Sequence, residues 1–162
     1  MMPQDKLKIL LFGGTRHTGL HFMQQALTAG DQITAIMRDP SSITYRHLNL
    51  KVVKDNALEL QTLESEFVGK DVIISSLGPN GADFRKPTII CSQGLRNMMD
   101  GMKKYGVKRI MCISAGGLDT NPEMGFVVKL IARLLQFILK EPYQDLKIME
   151  AEIKASGLDW TI

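Results

Sequence analysis

The chain has 162 residues, 44% of them hydrophobic and 23% charged, which are the proportions of one folded domain and exclude both intrinsic disorder and a disulfide scaffold. Its 20 basic and 17 acidic residues leave a net charge of +3 and are interspersed, so there is no basic run of the kind that tracks nucleic acid; the small excess suits an anionic small ligand. Cys91 and Cys112 lack metal-ligand spacing and are expected as reduced, partly buried thiols of a cytoplasmic protein, with no export signal read in Met1 to Lys8 and no apolar stretch long enough to span a bilayer.

The first predicted element is a strand at Ile9 to Phe12, a near-continuous apolar run suited to a buried parallel strand. Gly13-Gly14-Thr15-Arg16-His17-Thr18-Gly19 follows as a turn into a helix. Gly13 permits the sharp turn, Gly14 keeps bulk away, and Gly19 lets the helix approach the sheet. A helix start has unpaired N–H groups and partial positive charge, so this turn is a candidate pyrophosphate cradle. Leu20 to Ala29 reads as the helix, Gly30 as its stop, and Gln32 to Met37 as a second strand ending at Arg38-Asp39-Pro40. Ser41 to Asn49 reads as a short helical or irregular crossover, Leu50 to Lys54 as a third strand before Asp55, and Leu58 to Phe67 as an imperfect helical stripe. Asp71 to Ser76 is a fourth strand, and Leu77-Gly78-Pro79-Asn80-Gly81 is loop.

Pro87 to Tyr105 reads as a helix with proline at its start and Gly106 past its end, the asymmetry that helices prefer. Val107 to Ile113 is a fifth strand leading to Ser114-Ala115-Gly116-Gly117. Pro122 to Lys140 is a broad apolar helix broken by Glu141-Pro142, Tyr143 to Ala155 is the last helix, and Leu158 to Ile162 begins a sixth strand. The alternation predicts an α/β fold: one domain over residues 1–162 with a parallel sheet of about six strands and helices on both faces. In such a sheet, ligands bind beyond the carboxyl ends of the strands, where the strand order reverses.

The glycine turn, Met37-Arg38-Asp39-Pro40, Asp55, Ser75-Ser76-Leu77-Gly78, Ile113-Ser114-Ala115 and Ala155 to Ile162 occur in the order and at the strand ends seen in one family. The sequence resembles the atypical short-chain dehydrogenases of the NmrA-like, NAD(P)H-binding group, which includes the biliverdin reductase B (flavin reductase) type. The resemblance covers almost the whole chain and implies a Rossmann-type, doubly wound sheet with strand order 3-2-1-4-5-6. It implies that Gly13, Gly14, Thr15, Arg16, His17, Thr18 and Gly19 hold the cofactor's phosphates. Arg16 stands where the commoner pattern has glycine, either adding a charge for the phosphate or facing solvent, and His17 offers its backbone N–H. Arg38, at the end of the second strand, suits the 2′-phosphate of NADP(H); Asp39 beside it keeps NAD(H) possible. The resemblance makes Asp55 the acid that contacts adenine, with a helix N-cap as its other reading, and has Leu77 and Gly78 supply backbone around the ribose.

By the same resemblance, Ser114 lies at the nicotinamide as cofactor contact and catalytic candidate, hydrogen-bonding a substrate carbonyl or the carboxamide; its other reading is a serine capping its own turn. Tyr143 and Lys147 have the Tyr-x-x-x-Lys spacing of a catalytic pair on one helical face, against a packing or surface role. Glu150 and Glu152 read as a solvated face. The apolar helix at 122–140 implies burial against the sheet or a homodimer contact in preference to a membrane surface. Relatives continue past a strand like Leu158 to Ile162 into a segment that closes the substrate pocket, so the chain reads as truncated or shortened, with the sixth strand an exposed edge or paired with a partner. The functions that follow are an NADP(H)-dependent oxidoreductase passing hydride to a small carbonyl, quinone or flavin-like acceptor, an NmrA-like dinucleotide sensor acting through a protein partner, and, third, a nucleotide-sugar epimerase.

Overall fold

The computed structural model describes residues 6–15, 17–59, 63–79, 86–115 and 125–162. They form β1 (Lys8–Phe12), α1 (His17–Ala29), β2 (Gln32–Met37), β3 (Leu50–Lys54), β4 (Val72–Ser75), α2 (Ile90–Tyr105), β5 (Arg109–Cys112), α3 (Phe126–Ile138), α4 (Lys140–Ala155) and β6 (Asp159–Thr161), with short 3-10 turns at Pro40–Ser42 and Glu64–Phe67. All six strands pair in parallel in the order β3-β2-β1-β4-β5-β6, the predicted order.

Strand parity sorts the apolar residues onto two faces. Leu10, Phe12, Ile36, Ile73 and Ile110 pack against Leu95, Met98 and Met102 of α2 and Leu146, Met149 and Ile153 of α4. Ile9, Leu11, Ile33, Ala35, Met37, Val72 and Ile74 pack against Met23, Ala26 and Leu27 of α1 on the other. Both faces are covered at β1, which explains why its run has no polar alternation. Phe67 is wholly buried over α2, tilted against the ring of Phe12 and stacked on that of Tyr105. At Gly101 of α2 a Cβ would stand 2.6–2.8 Å from three Phe67 ring carbons, so the absence of a side chain there is what admits the ring.

Several element boundaries differ from expectation. α2 starts at Ile90 and not at Pro87, because its capping groups act there: Thr88 Oγ1 accepts from Ile90 N–H, and the buried Asp145 carboxylate of α4 accepts from the N–H groups of Cys91 and Ser92, each at 2.9 Å. Ile89 at the cap position contributes no side-chain bond, so the cap is lent by a residue more than fifty positions away. α4 begins at Lys140 and keeps Pro142 in its first turn; the missing proline N–H would have had no intrahelical partner there, so the break falls at Leu139 instead. In the described part of 58–67, Leu63 and the 3-10 turn Glu64–Phe67 are helical, residues 60–62 lying outside it, and β5 is shorter than predicted.

The larger correction concerns α3. Of the two expected roles, burial against the sheet or a homodimer contact, the first does not hold: Val127, Leu130, Leu134 and Phe137 are 58–81% exposed, because α2 and α4 already fill that face and α3 packs along α4. β6 is an exposed sheet edge, tied to β5 by the Arg109 guanidinium, which donates to Asp159 and Thr161. Among the described residues no helix is long and apolar enough to cross a membrane.

Candidate functional site

β1 and β4 end side by side, with Phe12 opposite Ser75 and the Ser76 N–H donating to Phe12 O at 2.8 Å. The turn after β1 starts from that contact. Gly13 adopts φ +87°, and a Cβ there would stand 2.4 Å from the Ser76 carbonyl oxygen, so only glycine serves both the conformation and the close approach. A Cβ at Gly19 would stand 2.2 Å from the Gly13 carbonyl oxygen, which is how near α1 comes to the turn. Gly14 is different: its Cβ would meet the side chains of Met37 and Leu11, so its constraint comes from the packing beneath the turn. α1 begins at His17, and its first amides therefore open onto the turn. Arg16 and the His17 side chain lie outside the described residues.

The turn forms one wall of a cleft of about 680 Å³ at the carboxyl ends of β1, β2, β3 and β4, where the strand order reverses. Gly13, Thr15, Thr18, Arg38, Asp55, Leu77 and Gly78 line it, so most of the predicted cofactor residues share one space. Ser42, Asn56, Ser76 and Ile90 also line it; of these, Ser42, Asn56 and Ile90 were not singled out in the sequence, since nothing in their local spacing marks them.

Arg38 is exposed at the mouth of the cleft. Asp39 is engaged differently: its Oδ1 accepts from the Ser41 hydroxyl at 2.6 Å and the Ser41 N–H at 3.0 Å, which caps the Pro40–Ser42 turn and holds its carboxyl pKa below the usual value. Asp55 is half-buried, its N–H donates to Met37 O, and its Oδ1 accepts from Asn56 N–H at 2.6 Å. Asn56 Oδ1 in turn accepts from Leu58 N–H at 3.2 Å. The loop is pinned from below, where Asn97 of α2 donates to the Ala57 carbonyl at 2.9 Å. Leu77 lies over Gly94 of α2, where a Cβ would come within 2.8 Å of it.

Ser114 follows β5 outside the lining of this cleft, and its hydroxyl donates to Glu150 Oε1 at 2.6 Å in place of capping its own turn. Glu150 is thus no part of a purely solvated face; its Oε2 accepts from Lys154 at 3.0 Å, while Glu152 pairs with Arg96. Burial pushes the Glu150 carboxyl up, but the hydrogen bonds from Ser114 and Lys154 outweigh it and the net shift is downward. Tyr143 and Lys147 sit one turn apart on α4, Tyr143 buried in the core and Lys147 exposed, and neither lines the cleft. Cys91 and Cys112 are free buried thiols pushed up to about 12 by burial, with the Asp145 carboxylate adding to the effect at Cys91.

No cluster able to hold a metal ion occurs among the described residues. A second, open hollow of about 610 Å³ lies at the start of β3 around Tyr45, His47 and Leu50, at the opposite end of that strand from the cleft.

Comparison with known proteins agrees with this geometry. An uncharacterised chloroplast protein of Arabidopsis thaliana, At2g34460, is 26% identical over 168 residues, covering 96% of this chain and 57% of its own length. The chain thus spans a little over half the length of that relative. The oxidoreductase ylbE of Lactococcus lactis matches in structure with a TM-score of 0.74 at 23% identity, over 96% of this chain and 67% of that one. The Bordetella bronchiseptica enzyme WbmH, solved in complex with NAD+, matches with a TM-score of 0.73 at 16% identity, over 96% and 54%. Both share the fold. A profile described as NAD(P)H-binding matches residues 13–162, from the first glycine of the turn through β6, and the chain belongs to that NAD(P)H-binding family.

Proposed function

We propose that this domain binds NADP(H) and passes hydride to a small carbonyl, quinone or flavin-like acceptor, in the manner of the atypical short-chain dehydrogenases it resembles. The cleft carries the reading: the glycine turn, Arg38, Asp55 and Leu77–Gly78 converge in one space large enough for a ligand of nucleotide type. Gly13 and the N-terminal amides of α1 would hold the pyrophosphate, and Thr15 and Thr18 offer hydroxyls beside it. Arg38 would meet a 2′-phosphate with a fork of donors, whereas Asp39 has one carboxylate oxygen committed to Ser41, which favours NADP(H) over NAD(H). When bound, the dinucleotide supplies the hydride, and the protein's part is to bind and orient it.

The test is NADPH oxidation with a panel of flavins, quinones and small carbonyl compounds. A rate above the acceptor-free background is expected for at least one; NADPH binding without any such rate refutes the oxidoreductase reading for this chain.

A second reading, an NmrA-like sensor that binds the dinucleotide and signals to a protein partner, is favoured by α3, where Val127, Leu130, Ile131, Leu134 and Phe137 stand exposed. It predicts a change of association state on adding NADPH, without turnover. Sedimentation that is unaffected by the cofactor removes it. The epimerase reading needs the Tyr143 phenol, and a Tyr143→Phe variant of unchanged activity removes that one.

A further inference from the structure

Ser114 stands beside the strand end that feeds the cleft. Cys112 pairs with Ser75, and the Ile113 N–H donates to Ser75 O at 2.9 Å, so the chain leaves β5 next to Ser76, Leu77 and Gly78. The Ser114 hydroxyl has one proton and two lone pairs, whereas an ionised carboxylate can only accept. With Glu150 Oε1 at 2.6 Å, the proton must point at Glu150. Lys154, donating to the other oxygen at 3.0 Å, keeps that carboxylate charged and turned toward Ser114. The downward net shift of the Glu150 carboxyl agrees with this arrangement.

We propose that Glu150 is a positioning residue that makes Ser114 a hydrogen-bond acceptor, so that Ser114 Oγ receives an N–H of the nicotinamide carboxamide and does not donate to a substrate carbonyl. The inference rests on the cofactor reading above: a dinucleotide with its adenine half toward Arg38 and its pyrophosphate at the glycine turn would pass Leu77 and Gly78 and extend over the end of β5, where Ser114 stands just beyond the lining of the cleft. It assigns Ser114 to ring orientation, and the donor that polarises an acceptor's carbonyl is then a different group.

The test compares NADP+ with its 3-acetylpyridine analogue, which keeps the carbonyl oxygen of the carboxamide but lacks the N–H donors. Calorimetric titration of both is run on the wild type, Ser114→Ala and Glu150→Gln, with the corresponding NAD+ pair in parallel. Relative to Ser114→Ala, the wild type should prefer NADP+ over the analogue by a further factor of about five, the worth of one ordinary hydrogen bond. In Glu150→Gln the ammonium of Lys154 claims the amide oxygen, leaving the amide NH2 to donate to Ser114 and freeing the serine proton for the ligand. That variant is isosteric and should lose the preference or reverse it. Equal preferences in wild type and Ser114→Ala, or a preference unchanged in Glu150→Gln, overturns the proposal while leaving the cofactor reading intact. If no dinucleotide of either pair binds, both fall.

Discussion

Replacing Asp145 with alanine removes the cap of the helix that backs the cleft. Its two carboxylate oxygens accept from the Cys91 and Ser92 amides at 2.9 Å each, and the residue is only 2% exposed, so bulk solvent does not reach these bonds. Ordinary helix caps contribute about 0.5–2 kcal/mol. Each hydrogen bond to a charged group contributes about 1.5–3 kcal/mol, and leaving a buried amide unpaired costs about 1–3 kcal/mol. Part of this is offset because the unfolded chain no longer has to bury a carboxylate, which brings the expected loss to about 2–4 kcal/mol. For a domain of this size, that lowers Tm by roughly 5–15 °C. Asp145→Asn should lose nearly as much: the amide keeps one acceptor but sets its NH2 against the second backbone N–H. Thermal and urea unfolding of wild type and both variants measure the effect, with the urea slope unchanged. A Tm drop below about 2 °C for Asp145→Ala would refute the reasoning.

Three further outcomes are expected. Arg38→Asp should weaken NADPH by the roughly 1.5–3 kcal/mol of a charge-assisted contact while barely affecting NADH, and an equal loss for both in fluorescence titrations overturns the NADP assignment. Gly101→Ala should destabilise despite a helix-propensity gain of about 1 kcal/mol, because overpacking against Phe67 costs about 1–3 kcal/mol; the same substitution in a Phe67→Leu background should stabilise, a sign change that urea melts resolve. Cys91 and Cys112, with thiols pushed up from 9.0 to about 12, stay protonated in the folded state. Their contribution to stability is therefore complete below pH 9 and is lost as pH rises from 9 toward 12. Unfolding midpoints should fall across that window, less so in a Cys91→Ser, Cys112→Ser variant, and alkylation of the native protein at pH 8 should be slow.

The glycine turn was readable because its requirements are local. A strand of continuous apolar residues followed by Gly13 and Gly19 admits few backbones, and Arg38 and Asp55 became candidates by following the next two strands. Glu150 was misread as surface for the opposite reason: its partner Ser114 is 36 residues away and on another element, so no periodicity connects them.

From the sequence and its resemblance came the parallel sheet, its strand order and the end of it at which the cleft opens. Strand and helix alternation follows from the periods of 2 and 3.6, and the handedness of crossovers leaves few topologies. Tertiary structure alone decided which distant side chains meet: Asp145 on the α2 amides, Gly101 under Phe67, Glu150 on Ser114, and α3 left outside a face that α2 and α4 had already filled. Those outcomes depend on competition for space and for hydrogen-bond partners among elements far apart in the chain, which becomes definite only once the chain has folded.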